Sequence, residues 1–390
     1  MKAWVEALRK EFPAAAGCAY LDGAYDMGGA DYMKAAANWF FDAWGQAALA
    51  LERGGPGRAR FFAMADETRK SICTLLDSGD LSNICFTHNT NEGINMAVMG
   101  FAYAPGDNII TFQDDFPSVV GPCLNAARLR GVEVRCAKTE VPGVDDIDAL
   151  MALTDANTRL IVISHVRSAT GYMVDLERLG GLCRERGIFL IVDATQSLGS
   201  TPIYPEAWGV DGLSAAGYKC LLGGISSAFF YCSKALAEKI TPVFVSYNDY
   251  TAIRPEGEGC SLTLKDGGDI RKLESGTIDV LGIAILQQGI NRILNIGVKE
   301  IRAHISGLYE RLYRGLEALG YEIVTPFDPR NRSAVLAVRI HQDQSAIYDH
   351  FKNNGVALSS SRHLRFGIPA FATEQDIDRA LAVAAATEIR

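Results

Sequence analysis

The chain of 390 residues has no apolar run near the roughly 20 residues that a membrane-crossing helix needs. No cationic leader followed by an apolar stretch opens it: Met1–Lys10 reads MKAWVEALRK, charged and amphipathic, without a secretory pattern. It has no CxxC pair, and its nine cysteines are scattered. An odd, irregular set fits reduced thiols in a cytoplasm better than a disulfide framework. None of the six histidines forms an HxxxH pair, so no metal site is expected. No GxGxxG follows a predicted strand, which removes support for a dinucleotide fold. Positive charge is in deficit: 38 Lys and Arg stand against 46 Asp and Glu, net −8. That balance argues against nucleic acid and against an anionic membrane surface as partners. Internal repeats and low-complexity segments are absent as well.

What is present is alternation. Strands are predicted at 82–86, 108–112, 132–136, 160–164, 188–192, 212–215 and 227–232. Helices are predicted at 91–101, 119–130, 145–153 and 175–186. Strands that are continuous apolar runs, such as Leu160-Ile161-Val162-Ile163, are buried on both faces. The pattern predicts an α/β fold: a parallel or mixed sheet with helices on both sides, and ligands at the carboxyl ends of the strands. Upstream, helices are expected at 31–50 and 61–76, with a Gly/Pro break at 51–57. Residues 240–275 read as a long loop, and 278–319 as mostly helix. A small α+β unit follows, with strands at 321–324, 333–340 and 364–367 and helices at 344–353 and 373–389. The length exceeds one typical domain. We expect a large domain over 17–277 and a small one over 278–390 that also takes the N-terminal helix, 1–16.

Two residues sit at the tips of core strands. Asp193 ends the run Ile188–Val192, and Lys219 follows Gly217-Tyr218 after the next strand. Taken alone, they also fit a helix cap and a surface lysine. Together they suit a pyridoxal phosphate (PLP) site. The carboxylate would keep the pyridine nitrogen protonated, and the amine would bond to the aldehyde and move the Cα proton. Thr90 and Asn91, where a strand meets a helix, suit a phosphate dianion or an ordinary cap. Phe116 could stack on a flat ring or belong to the core. Ser168, His165 and Gln196 are candidates for the ring's phenolic oxygen or the substrate, His165 equally as a buried structural histidine. Thr277 could donate to a phosphate. Arg365, on a late strand, is a candidate for a substrate α-carboxylate, because a guanidinium pairs with it in bidentate fashion.

With these residues in place, the chain resembles the class V aminotransferase group of fold-type I PLP enzymes. That group includes cysteine desulfurases, C–S lyases, kynureninases, isopenicillin N epimerase-like proteins and some aminotransferases. The resemblance runs from Tyr20-Leu21-Asp22 to the Arg365 region. Asp193-Ala194-Thr195-Gln196 is similar to the group's Asp-Ala-x-Gln, Gly217-Tyr218-Lys219 to its lysine site, and Glu274-Ser275-Gly276-Thr277 to its Glu-x-Gly-Thr. It implies PLP as cofactor, a mainly parallel seven-stranded sheet, and an amino acid as substrate. It also implies a homodimer in which Thr277 reaches the partner's phosphate. Phe116 would take the stacking position, and Tyr218 would flank the cofactor. Ala24, within the specificity-setting Asp22–Tyr25 stretch, would touch substrate. Phe116 stands where the desulfurases have a histidine and cannot titrate, so proton chemistry would fall to Lys219, Tyr218 or His165. The desulfurases also carry a nucleophilic cysteine ahead of the arginine. Between Gly355 and Arg365 this chain has none, which leaves Cys220 and Cys260. Phe116-Pro117, the Leu364–Gly367 stretch followed by Pro369, and His165-Val166 with Thr170–Met173 lean toward kynureninase-like members. Asp-Ala-Thr-Gln and Glu-Ser-Gly-Thr lean toward lyases and epimerases. The expectation is β-elimination. Transamination, kynureninase-like hydrolysis, epimerisation and an inactive binding protein are the alternatives.

Overall fold

The computed structural model describes residues 2–49, 56–138, 146–245, 250–256, 259–264 and 269–387. At its centre is a seven-stranded sheet. In chain order its strands are β1 (Ile84–Thr87), β2 (Asn108–Phe112), β3 (Glu133–Ala137), β4 (Thr158–Ser164), β5 (Phe189–Asp193), β6 (Gly212–Ala216) and β7 (Ala228–Cys232). Their spatial order is β1-β7-β6-β5-β4-β2-β3. All neighbours are parallel except β7, which runs antiparallel to both β1 and β6.

Alternation along the strands divides the core between two faces. Ile110, Ile161, Ile163, Leu190 and Val192 join one buried cluster. Ile109, Leu160, Val162 and Ile191 join the other. Helices cover both faces, so the apolar runs seen in the sequence are those of a doubly covered sheet. The chain leaves β2 toward one edge and β4 toward the other. The sheet's connections therefore diverge between β2 and β4, and a crevice opens at their carboxyl ends.

Beyond β7 the structure departs from the sequence reading in one place. Tyr250–Glu256 and Gly259–Leu264 form an antiparallel hairpin inside the expected loop 240–275. Its Gly and Pro content suggested irregular chain. Gly259 instead opens the second strand, and Pro255 occupies a two-stranded ribbon in which a missing donor costs little. Residues 246–249, 257–258 and 265–268 of that stretch, and most of the expected break at 51–57, lie outside the described residues. The long helical region is two helices, Val280–Ile296 and Val298–Ala318, separated at Gly297, whose φ of 93° is left-handed.

The last third builds an antiparallel sheet of four strands: Glu322–Ile323, Val335–Arg339, Leu364–Gly367 and Ser359–Ser360, in that spatial order. The start of the chain returns to it. Helix Ala3–Lys10 docks through Arg9 Nη1 on Asp376, 2.7 Å away. Ala19–Tyr20 pairs in parallel with Val356–Ala357, and Asp22 bridges to Gly367. No helix among the described residues is long and apolar enough to cross a membrane.

Candidate active site

A cleft of ≈ 150 Å³ lies at the carboxyl ends of the central strands. It brings together Thr90, Asn91, Phe116, Ser168, Asp193, Gln196, Tyr218 and Lys219, eight of the residues singled out in the sequence. Each is delivered by a strand end or the turn after it.

Asp193 closes β5 and is buried. Burial pushes its carboxyl above the usual range; hydrogen bonds from Thr195 and the charge of Lys219 pull the other way. The Thr195 amide donates to Asp193 Oδ1 at 2.9 Å. Thr195 Oγ1 lies 2.5 Å from Thr90 Oγ1, which ties the carboxylate to the next wall of the cleft. A desolvated carboxylate facing a cleft favours a cationic partner there. A protonated pyridine nitrogen is such a partner.

Lys219 follows β6 in a tight turn. The Gly217 amide donates to Ser227 O at 2.6 Å and the Gly223 amide to Gly217 O at 2.7 Å. A Cβ on Gly217 would come within 2.4 Å of Ser227 Oγ, so the turn needs glycine there. The lysine is 8% exposed, and burial lowers its pKa, with Asp193 opposing. A desolvated amine is more often neutral, the form that attacks an aldehyde. The Tyr218 ring centroid lies 5.7 Å from its Nζ.

Another wall of the cleft is the start of helix Thr90–Gly100. Its cap is Asn89, whose Oδ1 accepts from the Glu92 amide at 2.9 Å. The sequence had offered Thr90 or Asn91 for that task. With Asn89 capping, both are left beside the cleft at a helix N-terminus, where an anion is favoured. Ser214 Oγ donates to Thr90 O at 3.1 Å. A Cβ on Gly93 would meet that same Oγ at 2.7 Å, so the helix seats tightly on β6.

Phe116, 44% exposed, forms the outer wall. Asp115 holds it in place: Oδ1 accepts from the Phe116 amide at 2.7 Å and Oδ2 from the Ser164 amide at 2.9 Å. Gln196 Nε2 donates to Ala24 O at 3.3 Å, and its Oε1 is buried without a partner. That amide keeps a polar atom for a ligand. Ala24 thus stands behind Gln196, not on the cleft wall.

Like Ala24, three more predicted residues are elsewhere. His165 does not face the cleft. Ser164 and Val166 line it, and the residue between them points the opposite way. The His165 ring is buried, bonds Ser197 Oγ at 2.9 Å, and is driven down to a pKa of about 3 by burial. Thr277 lies in a separate hollow with Glu274, Ser275, His88 and Glu92. Arg365 is one layer behind Ser168, donating through Nη1 to Ser168 O at 2.7 Å, with Nε buried and unpartnered. Cys220 is buried and off the cleft, its thiol pushed up by burial. The side chain of Cys260 lies outside the described residues.

Sequence reasoning missed Asn89, Asp115 and the bridging role of Thr195. Thr195 lay inside the Asp-Ala-Thr-Gln motif, but only its neighbours had been given work.

A family model for aminotransferase class-V matches residues 53–377. The chain belongs to that family. Among curated relatives it is 28% identical over 314 residues to a probable cysteine desulfurase of Methanothermobacter thermautotrophicus, covering 78% of this chain and 74% of that one. It is 29% identical over 258 residues to a probable cysteine desulfurase of Borreliella burgdorferi, covering 65% and 60%. An apo cysteine desulfurase from Thermococcus onnurineus superposes with TM-score 0.86 at 19% identity, over 98% and 97% of the two chains. The cystine C–S lyase C-DES, in complex with cysteine persulfide, superposes with TM-score 0.84 at 20% identity, over 96% and 99%. At those identities the superpositions speak for the fold, which is that of PLP-dependent fold type I. This class-V protein is a PLP-dependent enzyme, and the residues of the cleft fit that group: a buried carboxylate, a buried amine, an aromatic wall and a helix N-terminus.

Proposed function

We propose that this enzyme eliminates a sulfur substituent from Cβ of an amino acid, as a C–S lyase does. Bound PLP would serve as the sink for the electron pair left at Cα. Lys219 binds the cofactor, then takes the Cα proton, being the cleft's buried amine. Asp193, the cleft's buried carboxylate, would supply the counter-charge to a protonated ring nitrogen. Phe116 excludes water from one face, and Arg365 anchors the substrate carboxylate.

The observation that carries the choice of elimination is in the chain ahead of Arg365. Ser359–Ser360 pairs directly with Leu364–Arg365, which leaves only 361–363 as a turn. That turn is short and holds no cysteine, whereas taking sulfur as an enzyme-bound persulfide needs a thiol that reaches the substrate. With no such thiol ahead of the arginine, sulfur leaves with its electron pair. Cysteine and water would then give pyruvate, ammonia and sulfide in equal amounts. Incubation with cysteine or cystine and assay of pyruvate, ammonia, sulfide and alanine tests this. Stoichiometric pyruvate is the expected result. Alanine as the main product would mark a desulfurase and overturn it, as would turnover that requires an added keto acid.

We propose also that the enzyme acts as a homodimer, with Thr277 completing the partner's phosphate site. Thr277 stands apart from the Lys219 cleft of its own chain, which supports this. Light scattering should give twice the chain mass, and Thr277→Val should weaken PLP retention. A monomer that retains PLP at full strength would refute it.

A further inference from the structure

The small sheet leaves a buried guanidinium nitrogen, Arg365 Nε, and a neighbouring carboxylate oxygen, Asp22 Oδ1, without partners. Arg365 and Gly367 are two apart on one strand and point to the same face. Ser359 is the cross-strand partner of Arg365, and Asp22 is the bridge partner of Gly367. All three side chains therefore share a face. Gly367 contributes nothing there; a Cβ on it would lie 2.1 Å from the Ala24 amide. The turn that starts at Asp22 fills that space. On this face Asp22 Oδ1 and Arg365 Nε are buried without partners, while the Ser359 hydroxyl is near enough to favour the charged form of the Asp22 carboxyl. Asp22 makes no ion pair with Arg365 within 4.0 Å, although each influences the charge of the other.

An arginine kept beside a carboxylate, yet not paired with it, has donors to spare. Leaving buried donors and acceptors empty is costly, and a ligand that fills them recovers that cost. The same turn reaches the chemistry. Gln196 Nε2 donates to Ala24 O at 3.3 Å, and the Met27 amide donates to Tyr218 O at 3.0 Å, next to Lys219.

We propose that Asp22 is a positioning residue for the substrate carboxylate: it accepts a proton as the carboxylate seats on Arg365 and completes the site as a neutral hydrogen-bond donor. This rests on Arg365 being the carboxylate anchor. Two anions in one half-buried place repel, and one of them is relieved by protonation. The charged groups facing Asp22 are Asp26 on its own turn, Arg365 from the sheet and Lys219 from the turn after β6; Ser359 adds only a hydroxyl. Burial first, and then Asp26, push the carboxyl up to about 6 in the empty site, against the pull of Ser359, Arg365 and Lys219. A ligand carboxylate on Arg365 cancels one of those pulls and raises it further. The sign follows: above pH 6 binding takes up a proton, so affinity falls as pH rises, by about tenfold per unit at the limit.

The probe is 3-(methylthio)propionate, which carries the carboxylate but no amine to react with the cofactor. Its dissociation constant for the PLP-loaded enzyme is measured by calorimetry at pH 6, 7 and 8. At pH 7.5 it is repeated in two buffers of different ionisation heat, which counts protons. The expected result is about one proton taken up per ligand and a dissociation constant that climbs toward tenfold per pH unit. Asp22→Asn, a permanently neutral donor, should bind equally at all three values and take up none. Zero proton uptake by the native enzyme overturns the inference, as does an Asp22→Asn variant with the native pH slope. If the variant fails to load PLP, the native proton count decides alone. No binding of the probe at any pH removes the Arg365 anchor and this inference with it. Binding without proton uptake removes the inference only.

Discussion

Lys219→Ala is expected to abolish turnover and the covalent link to PLP together. Borohydride treatment of native protein should fix the cofactor to the chain, and treatment of the variant should fix none; mass spectrometry of the peptide holding residue 219 reads both. The residual rate should be lower by about 10⁴-fold or more, since one side chain both bonds the aldehyde and moves the proton, and general acid–base catalysis alone contributes about 10²–10⁴-fold. The fold should survive. Among the described residues Lys219 Nζ has no hydrogen-bond partner beyond its approach to the Tyr218 ring, and truncating it removes a costly buried amine rather than a packed side chain. A variant that keeps both covalent cofactor and turnover would remove the basis of the site.

Asp193→Asn should leave the cofactor bound and slow the chemistry. Asparagine retains the shape of the carboxylate and can still accept from the Thr195 amide. It cannot supply the negative charge that keeps a pyridine nitrogen protonated. Preorganised charge of this kind is worth about 10²–10³ in kcat, so a fall of about that size is expected, with KM changed far less. The bound chromophore should shift as well, because the ring's charge changes. The comparison with Lys219→Ala is informative: one variant loses the bond, the other keeps it and loses the sink. Equal kcat in Asp193→Asn and native enzyme would show that the ring nitrogen has no need of this partner.

Much of this was legible beforehand, for physical reasons that differ from residue to residue. The seven strands could be read because burial on both faces makes each a continuous apolar run. Asp193 stood out because a carboxylate is costly at the end of such a run unless something there requires it. The other misjudgements come from one-residue distinctions. His165 was assigned by proximity in sequence to Ser168, but the alternation that places Ser164 and Val166 in the cleft turns it away. Asn89 and Thr90 differ by one position, yet one caps the helix while the other touches Thr195. The Tyr250–Leu264 hairpin was hidden because glycine and proline mark a turn and a loop alike. Asp22 was read only as part of a stretch, since its neighbours Ser359 and Arg365 lie 337 and more positions later and meet it only through the pairing of the small sheet.

The docking of Arg9 on Asp376 joins residues 367 positions apart, and the turn after Asp22 is pinned by Gly367. During synthesis, then, the central sheet has all its strands once Cys232 leaves the ribosome, long before the opening turn has anything to rest on. The nascent chain can assemble the half that carries Asp193 and Lys219 first, but its opening segment finds its seat only when the final helix emerges.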